Sequence, residues 1–377
     1  MVEKDYFEDS IFSRQYRNAL KIIGGFIDNQ NPPDDHREVP RIICFCGDRG
    51  EGKSSCMRTV AEILKTTGTK SKQMFAASQI NTKAEKYLDL LQLHKLKETA
   101  FFTLEIMDPS YFDDNHNILE LVVGEIYKTI RKKAVSDGVN LDRVAYNKLI
   151  KATEDVKESL FYIHSDKDKS FSEITQLNLL AASVELKESI KNMISQFLYF
   201  MDAERLLLEI DDLDMNMAGT YEMCEQIRNY LSFPQCIILM ATKYDQMEYA
   251  VSLRMHKLAT TRNRNEEDTY FRDLARKYLL KFIPVQIRIY MPKVYEGIVN
   301  QRMRCLTPNG KAIEEYKSIK DGVVKLIFRK TRYLFYNSKG GLSLIIPNNL
   351  RQLISLLNLL YGMDDVDDRN QPMDIFL

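Results

Sequence analysis

Gly47-Asp48-Arg49-Gly50-Glu51-Gly52-Lys53-Ser54 fits the spacing G-x-x-x-x-G-K-[ST] of a phosphate-binding loop (Walker A) at every fixed position. Each fixed residue has a physical reason. Glycines let successive backbone N–H groups converge on phosphate oxygens, and a helix starting at the loop's end adds its positive N-terminal pole. Lys53 would reach the β- and γ-phosphates, Ser54 would ligate Mg²⁺, and Ser55 completes the nucleotide-contacting set Gly47 to Ser55.

A second constellation lies far downstream. Leu206, Leu207, Leu208, Glu209 and Ile210 read as a buried strand ending in paired acids, Asp211 and Asp212 (Walker B). In an open α/β sheet such an end opens onto the ligand crevice. Asp211 is expected to hold the Mg²⁺ shell, directly or through water. Asp212 is expected to orient or deprotonate the attacking water. Asp214 is a third acid that could share either role, and Glu209 reads as a polar contact within the sheet. Ile237 to Ala241 form another apolar run, and Thr242 at its end is the first choice for sensing the γ-phosphate, with Lys243 second. A guanidinium can stabilise charge on a transferring phosphoryl group. Arg351 is the best placed candidate, at the start of a helical pattern, and Arg262, Arg264, Arg272 and Arg276 are the others.

The elements that must position these residues follow from periodicity. Ile42 to Cys46 form an apolar strand before the loop, and Cys56, Met57, Val60, Ile63 and Leu64 recur at helical spacing after it. Helices are also expected over 11–28, 83–97, around Ile118 to Ile126, around Tyr221 to Leu231, and over 319–335 and 349–361. Further strands are expected at 101–107 and near 285–290. Residues 29–40 read as a polar connection, and 66–71 as the end of the helix after the loop. Residues 134–175 are polar and lysine-rich, and 176–200 return to a helical pattern. The stretch 134–200 therefore reads as a helical insertion. Strands alternating with helices predict an α/β fold with a mainly parallel sheet covered on both faces. The expected domains are a core over 1–292, a small helical lid over 293–363 and an acidic tail over 364–377.

Composition narrows the class further. A chain of 377 residues with 45% hydrophobic content can bury a full core, and a net charge of zero argues neither for nor against nucleic acid. No apolar run approaches bilayer length, and the acidic start, Glu3 and Asp5, does not read as a secretory signal. The six cysteines show no zinc spacing, so they read as reduced, buried thiols of a cytoplasmic protein. Cys44 and Cys46, two apart on one strand, share a face without the geometry for an easy bridge. Arg254 to Arg264 form a basic stretch, diluted by Glu266, Glu267 and Asp268 and without interleaved aromatic residues.

The order of four blocks resembles the KAP-type P-loop ATPases, relatives of the AAA+ and STAND groups: Gly47 to Ser54, Leu206 to Asp214, Tyr278 to Pro284 and Asn348 to Leu353. Bacterial phage-defence ATPases, those of the RADAR type among them, look similar. The resemblance implies an additional-strand P-loop NTPase core with a helical lid, ATP and Mg²⁺ as cofactors, and hydrolysis of ATP. It also implies a homo-oligomer (ring or cluster) acting in anti-phage defence with a separate effector, a deaminase if RADAR-like. Many KAP proteins carry membrane segments within the core, whereas this sequence has no such segment. Two other readings stay open. One is a nucleotide-gated binding module or scaffold with little turnover. The other is a nucleic-acid-stimulated motor or loader.

Overall fold

A computed structural model describes residues 7–28, 41–65, 79–109, 118–138, 141–165, 173–217, 219–258, 267–306, 312–333 and 345–364. The expected connection 29–40, the helix end at 66–71, Arg262, Arg264 and the tail beyond residue 364 lie outside them. The chain divides into two units, Met1–Gly47 with Lys53–Tyr290, and Asp48–Gly52 with Met291–Leu377.

Among the described residues the first unit is built on five strands: β1 (Ile42–Cys46), β2 (Phe101–Thr103), β3 (Arg205–Ile210), β4 (Cys236–Thr242) and β5 (Arg288–Tyr290). They lie in the order β2-β3-β4-β1-β5, and every pair is parallel. β4 therefore stands between the strand that enters the glycine loop and the strand that ends in aspartates. Parallel strands share one C-terminal edge, so the residues after β1, β3 and β4 all emerge there. The register sets Cys46 opposite Thr242 and Ile210 opposite Met240.

The helices of this unit are α1 (Ser13–Asp28), α2 (Lys53–Lys65), α3 (Gln79–Leu90), α4 (His94–Glu98), α5 (Ile118–Asp137), α6 (Arg143–Ser165), α7 (Glu173–Phe200), α8 (Thr220–Tyr230), α9 (Tyr244–Leu258) and α10 (Glu267–Phe282). Side chains alternate across the sheet. Ile42, Cys44, Leu206, Leu208, Ile238 and Met240 join one large core with residues from α5 to α10. Ile43, Phe45, Leu207 and Leu239 are equally buried but belong to the other face, where α2 packs across β1 to β4. Both faces are covered, as near-continuous apolar strands require.

The expected insertion resolves into the end of α5 and the paired helices α6 and α7. In α6, Ala145, Leu149, Ala152 and Val156 form a buried stripe at helical spacing, and intervening lysines mask that period in the sequence. The expected helix over 83–97 is broken: α3 ends at Leu90, and Gln92 takes a positive φ of 59° before α4. The expected strand near 285–290 is a 3₁₀ turn, Val285–Ile287, followed by the short β5.

The second unit contains a π-helical turn (Val294–Ile298), strands β6 (Met303–Leu306) and β7 (Ala312–Tyr316), and helices α11 (Ile319–Thr331) and α12 (Leu350–Gly362). The purely helical reading of 293–363 needs correction, because β6 and β7 pair as an antiparallel ribbon. Arg304 stands opposite Glu315 and pairs with it at 2.7 Å. The ribbon is stitched partly by charges, so it lacks the apolar alternation that announces a strand. Ser318 caps α11 by accepting from the Asp321 N–H at 3.1 Å, and Asn349 caps α12 by accepting from the Arg351 N–H at 2.9 Å.

Candidate functional site

The glycine loop has the backbone its sequence calls for. Gly50 and Gly52 take φ of +87° and +89°, a region that side chains with a Cβ rarely enter. The loop braces itself: the Asp48 N–H donates to Glu51 Oε2 at 2.6 Å, and Glu51 is buried. Within the second unit, the Asn349 side-chain amide donates to the Arg49 carbonyl and the Arg351 N–H donates to the Gly50 carbonyl at 3.0 Å. A Cβ at Gly50 would run into that same Asn349 amide. Helix α2 begins at Lys53, so its first N–H groups, which lack intrahelical acceptors, sit at the loop's end. Lys53 is buried, and Ser54 and Ser55 are half-buried.

In the first unit, the Ser54 hydroxyl donates to Asp211 Oδ1 at 2.8 Å. Ser54, in the first turn of α2, and Asp211, just after β3, are thus in direct contact. Asp211 is buried, and its own Oδ1 also accepts from the Asp212 N–H at 3.1 Å. Burial pushes the Asp211 carboxyl above its ordinary range, opposed by the Ser54 hydrogen bond and reinforced by Asp212 and Asp108. Asp212 is half-buried and takes left-handed backbone, φ 49° and ψ 38°, at the head of the turn Leu213–Met215.

Asp108 is a carboxylate that the sequence reading left out. Met107 forms a parallel bridge with Ile210, its N–H donates to the Glu209 carbonyl, and its own carbonyl accepts from the Asp211 N–H, both at 2.8 Å. This extension of β2 carries Asp108 alongside Asp211. The available signal was an acid closing the apolar run from Phe101 to Met107.

Asp214 and Thr242 need reassignment. Thr242 is fully buried at 0% exposure, and its hydroxyl donates to Asp214 Oδ1 at 2.8 Å. A hydroxyl sealed from solvent and bonded this way does not touch a phosphate directly. Asp214 is 4% exposed, and the same Oδ1 accepts from the Lys243 N–H at 3.1 Å. Its place is between two strand ends, not in a metal shell. Glu209 lies on the α2 side of the sheet. Its Oε2 is buried without a hydrogen-bond partner, and burial lifts its carboxyl to about 7 against the pull of Arg58 and Lys65.

The arginines separate. Arg276 pairs with Glu248 at 3.0 Å, and Arg272 lies over the Tyr249 ring at 5.8 Å, both between α9 and α10. Arg351 is exposed in the first turn of α12. Cys44, Cys46, Cys56, Cys224 and Cys236 are buried thiols outside any disulfide, with the Sγ atoms of Cys44 and Cys46 3.4 Å apart.

The oxygens offered by Ser54 and Asp211 suit a hard cation such as Mg²⁺. Among the described residues no group of three or more His, Cys, Asp or Glu could hold a metal. Mg²⁺ bound by one or two protein oxygens takes its remaining ligands from phosphate and water. Among the described residues no helix is long and apolar enough to cross a membrane. The first unit is thus an α/β body with an all-parallel five-stranded sheet, in which Ser54 at the start of α2 meets the Asp211 carboxylate that follows β3. No protein-family model matches the chain, and no curated protein matches it in sequence.

Proposed function

We propose that the chain is a Mg²⁺-dependent P-loop ATPase of the KAP and AAA+ kind. The observation that carries the reading is the hydrogen bond from Ser54 to Asp211, which joins the two halves of the motif pair across 157 residues. The position of β4 between β1 and β3 supports it, since this is the additional strand that the resemblance implies.

In this reading the backbone N–H groups of Gly50 to Ser55 and the Lys53 ammonium bind and orient the triphosphate. Ser54 and Asp211 would hold Mg²⁺, which neutralises charge developing on the transferred phosphoryl group when bound. Asp212 accepts the proton of the attacking water, with Asp108 as a further negative charge acting on Asp211. Lys243, at the exit of β4, is the better candidate for contact with the γ-phosphate now that Thr242 is buried against Asp214. Motif order, rather than the site, extends the proposal to a homo-oligomer in the cytoplasm, serving anti-phage defence with a separate effector.

Phosphate release by the wild-type chain, Lys53→Ala and Asp212→Asn tests the reading. Asp212→Asn is expected to lose roughly 10²- to 10⁴-fold in turnover. Equal rates for all three proteins would remove the assigned chemistry.

A further inference from the structure

We infer that Asp214 is a positioning residue for the proposed reaction, a buried brace that fixes the turn bearing Asp211 and Asp212 to the exit of β4. The inference rests on the nucleotide-site reading above and deepens it. Only Leu213 separates Asp212 from Asp214, and the Met215 N–H closes this turn on the Asp212 carbonyl at 2.9 Å. One side of the turn is tied down by the Thr220 hydroxyl, which donates to the Leu213 carbonyl at 3.3 Å. The other side is tied by Asp214, which accepts from the Thr242 hydroxyl at 2.8 Å and the Lys243 N–H at 3.1 Å. Gln246 adds a bond to the Asp214 carbonyl at 3.3 Å.

These ties span the boundary between β3 and β4, so the acids and Lys243 keep a fixed separation. Hydrogen bonds to a carboxylate are the stronger kind, and Asp214 and Thr242 are both sealed from water. Loss of the Thr242 hydroxyl leaves the carboxylate one donor short, and the turn relaxes. A misplacement of about 1 Å at Asp212 is enough to cost on the order of 10² in rate. None of the ties named above involves the backbone of the glycine loop, which supplies most of the proposed phosphate contacts, so the loss falls on kcat more than on nucleotide affinity. The signature is a fall in kcat that exceeds any rise in KM.

The test compares full-length wild type, Thr242→Val, Thr242→Ser, Asp214→Ala and the Thr242→Val/Asp214→Ala double variant. Steady-state phosphate release and binding of a fluorescent ATP analogue are measured for each. Thr242→Val is expected to lower kcat about 10- to 100-fold, with Thr242→Ser restoring it. The double variant is expected to be no slower than the worse single one. Wild-type kcat in Thr242→Val, failure of Thr242→Ser to restore it, or a loss of nucleotide affinity matching the loss of kcat would overturn the brace. If Asp214→Ala does not fold, the Val and Ser pair decides alone. A wild type that neither binds the analogue nor releases phosphate overturns the ATPase reading and the brace together. Normal wild-type turnover with an unaffected Thr242→Val overturns the brace only.

Discussion

Ser54 Oγ lies 2.8 Å from Asp211 Oδ1, so the first turn of α2 and the end of β3 meet through a hydroxyl and a carboxylate. Both oxygens can turn to a cation, and neither would be replaced without cost by a carbon. Ser54→Ala and Asp211→Asn should each raise the Mg²⁺ concentration needed for nucleotide binding by about 10- to 100-fold. A Mg²⁺ titration at fixed ATP checks this, and unchanged midpoints in both variants would speak against a shared metal site.

Glu209 gives a pH dependence of known sign. Its carboxyl stands at about 7 in the folded chain against 4.5 in the reference state. Folded protein therefore holds more protons than unfolded protein between these values, and stability falls as pH rises through that window. The fall levels off above about pH 7 and amounts to at most about 3 kcal/mol for a shift of this size. Glu209→Gln should flatten the stability profile between pH 5 and 7.5, read by urea denaturation at about half-unit intervals. An identical slope in the variant would place the penalty elsewhere.

Gly50 combines a positive φ of 87° with a close Asn349 side chain. Gly50→Ala should cost roughly 1 kcal/mol or more through backbone strain and crowding. Gly50→Ala/Asn349→Ala relieves the crowding but not the strain, so only part of the cost is recovered after correcting for Asn349→Ala alone. That single variant loses the α12 cap and should cost about 0.5 to 2 kcal/mol. Denaturation midpoints for the three variants separate the terms.

The arginines should sort by their present partners. Arg272 and Arg276 are engaged by Tyr249 and Glu248 on the α9 and α10 surface, and Arg272→Ala and Arg276→Ala should leave phosphate release within about twofold. Arg351 is exposed, and its backbone, not its side chain, makes the bonds at the start of α12. Arg351→Ala should thus keep stability within about 0.5 kcal/mol. A guanidinium acting on the transition state predicts a kcat loss approaching 10³ or more in that same variant.

Much of the fold was legible because its signals are local. Ile42 to Cys46 and Leu206 to Ile210 are apolar without interruption, as strands buried on both faces must be, and α2 shows its period directly. The pairing of Ser54 with Asp211 was legible because both ends carry chemistry in their residue types. The Asp214 and Thr242 contact was not, since it depends on the register that sets Cys46 opposite Thr242 and on the turn after Ile210. Asp108 was hidden for a similar reason: the backbone bonds of Met107, not any side-chain pattern, bring it to Asp211. The β6 and β7 ribbon escaped because Arg304, Glu314 and Glu315 break the apolar alternation.

Calorimetric titration of ATP onto the full chain, with and without Mg²⁺, tests the shared site most directly. The account predicts saturable binding that needs Mg²⁺ in the wild type, and marked weakening in Lys53→Ala and Asp211→Asn. Binding that is indifferent to Mg²⁺ and to both substitutions, or no binding at all, would contradict it.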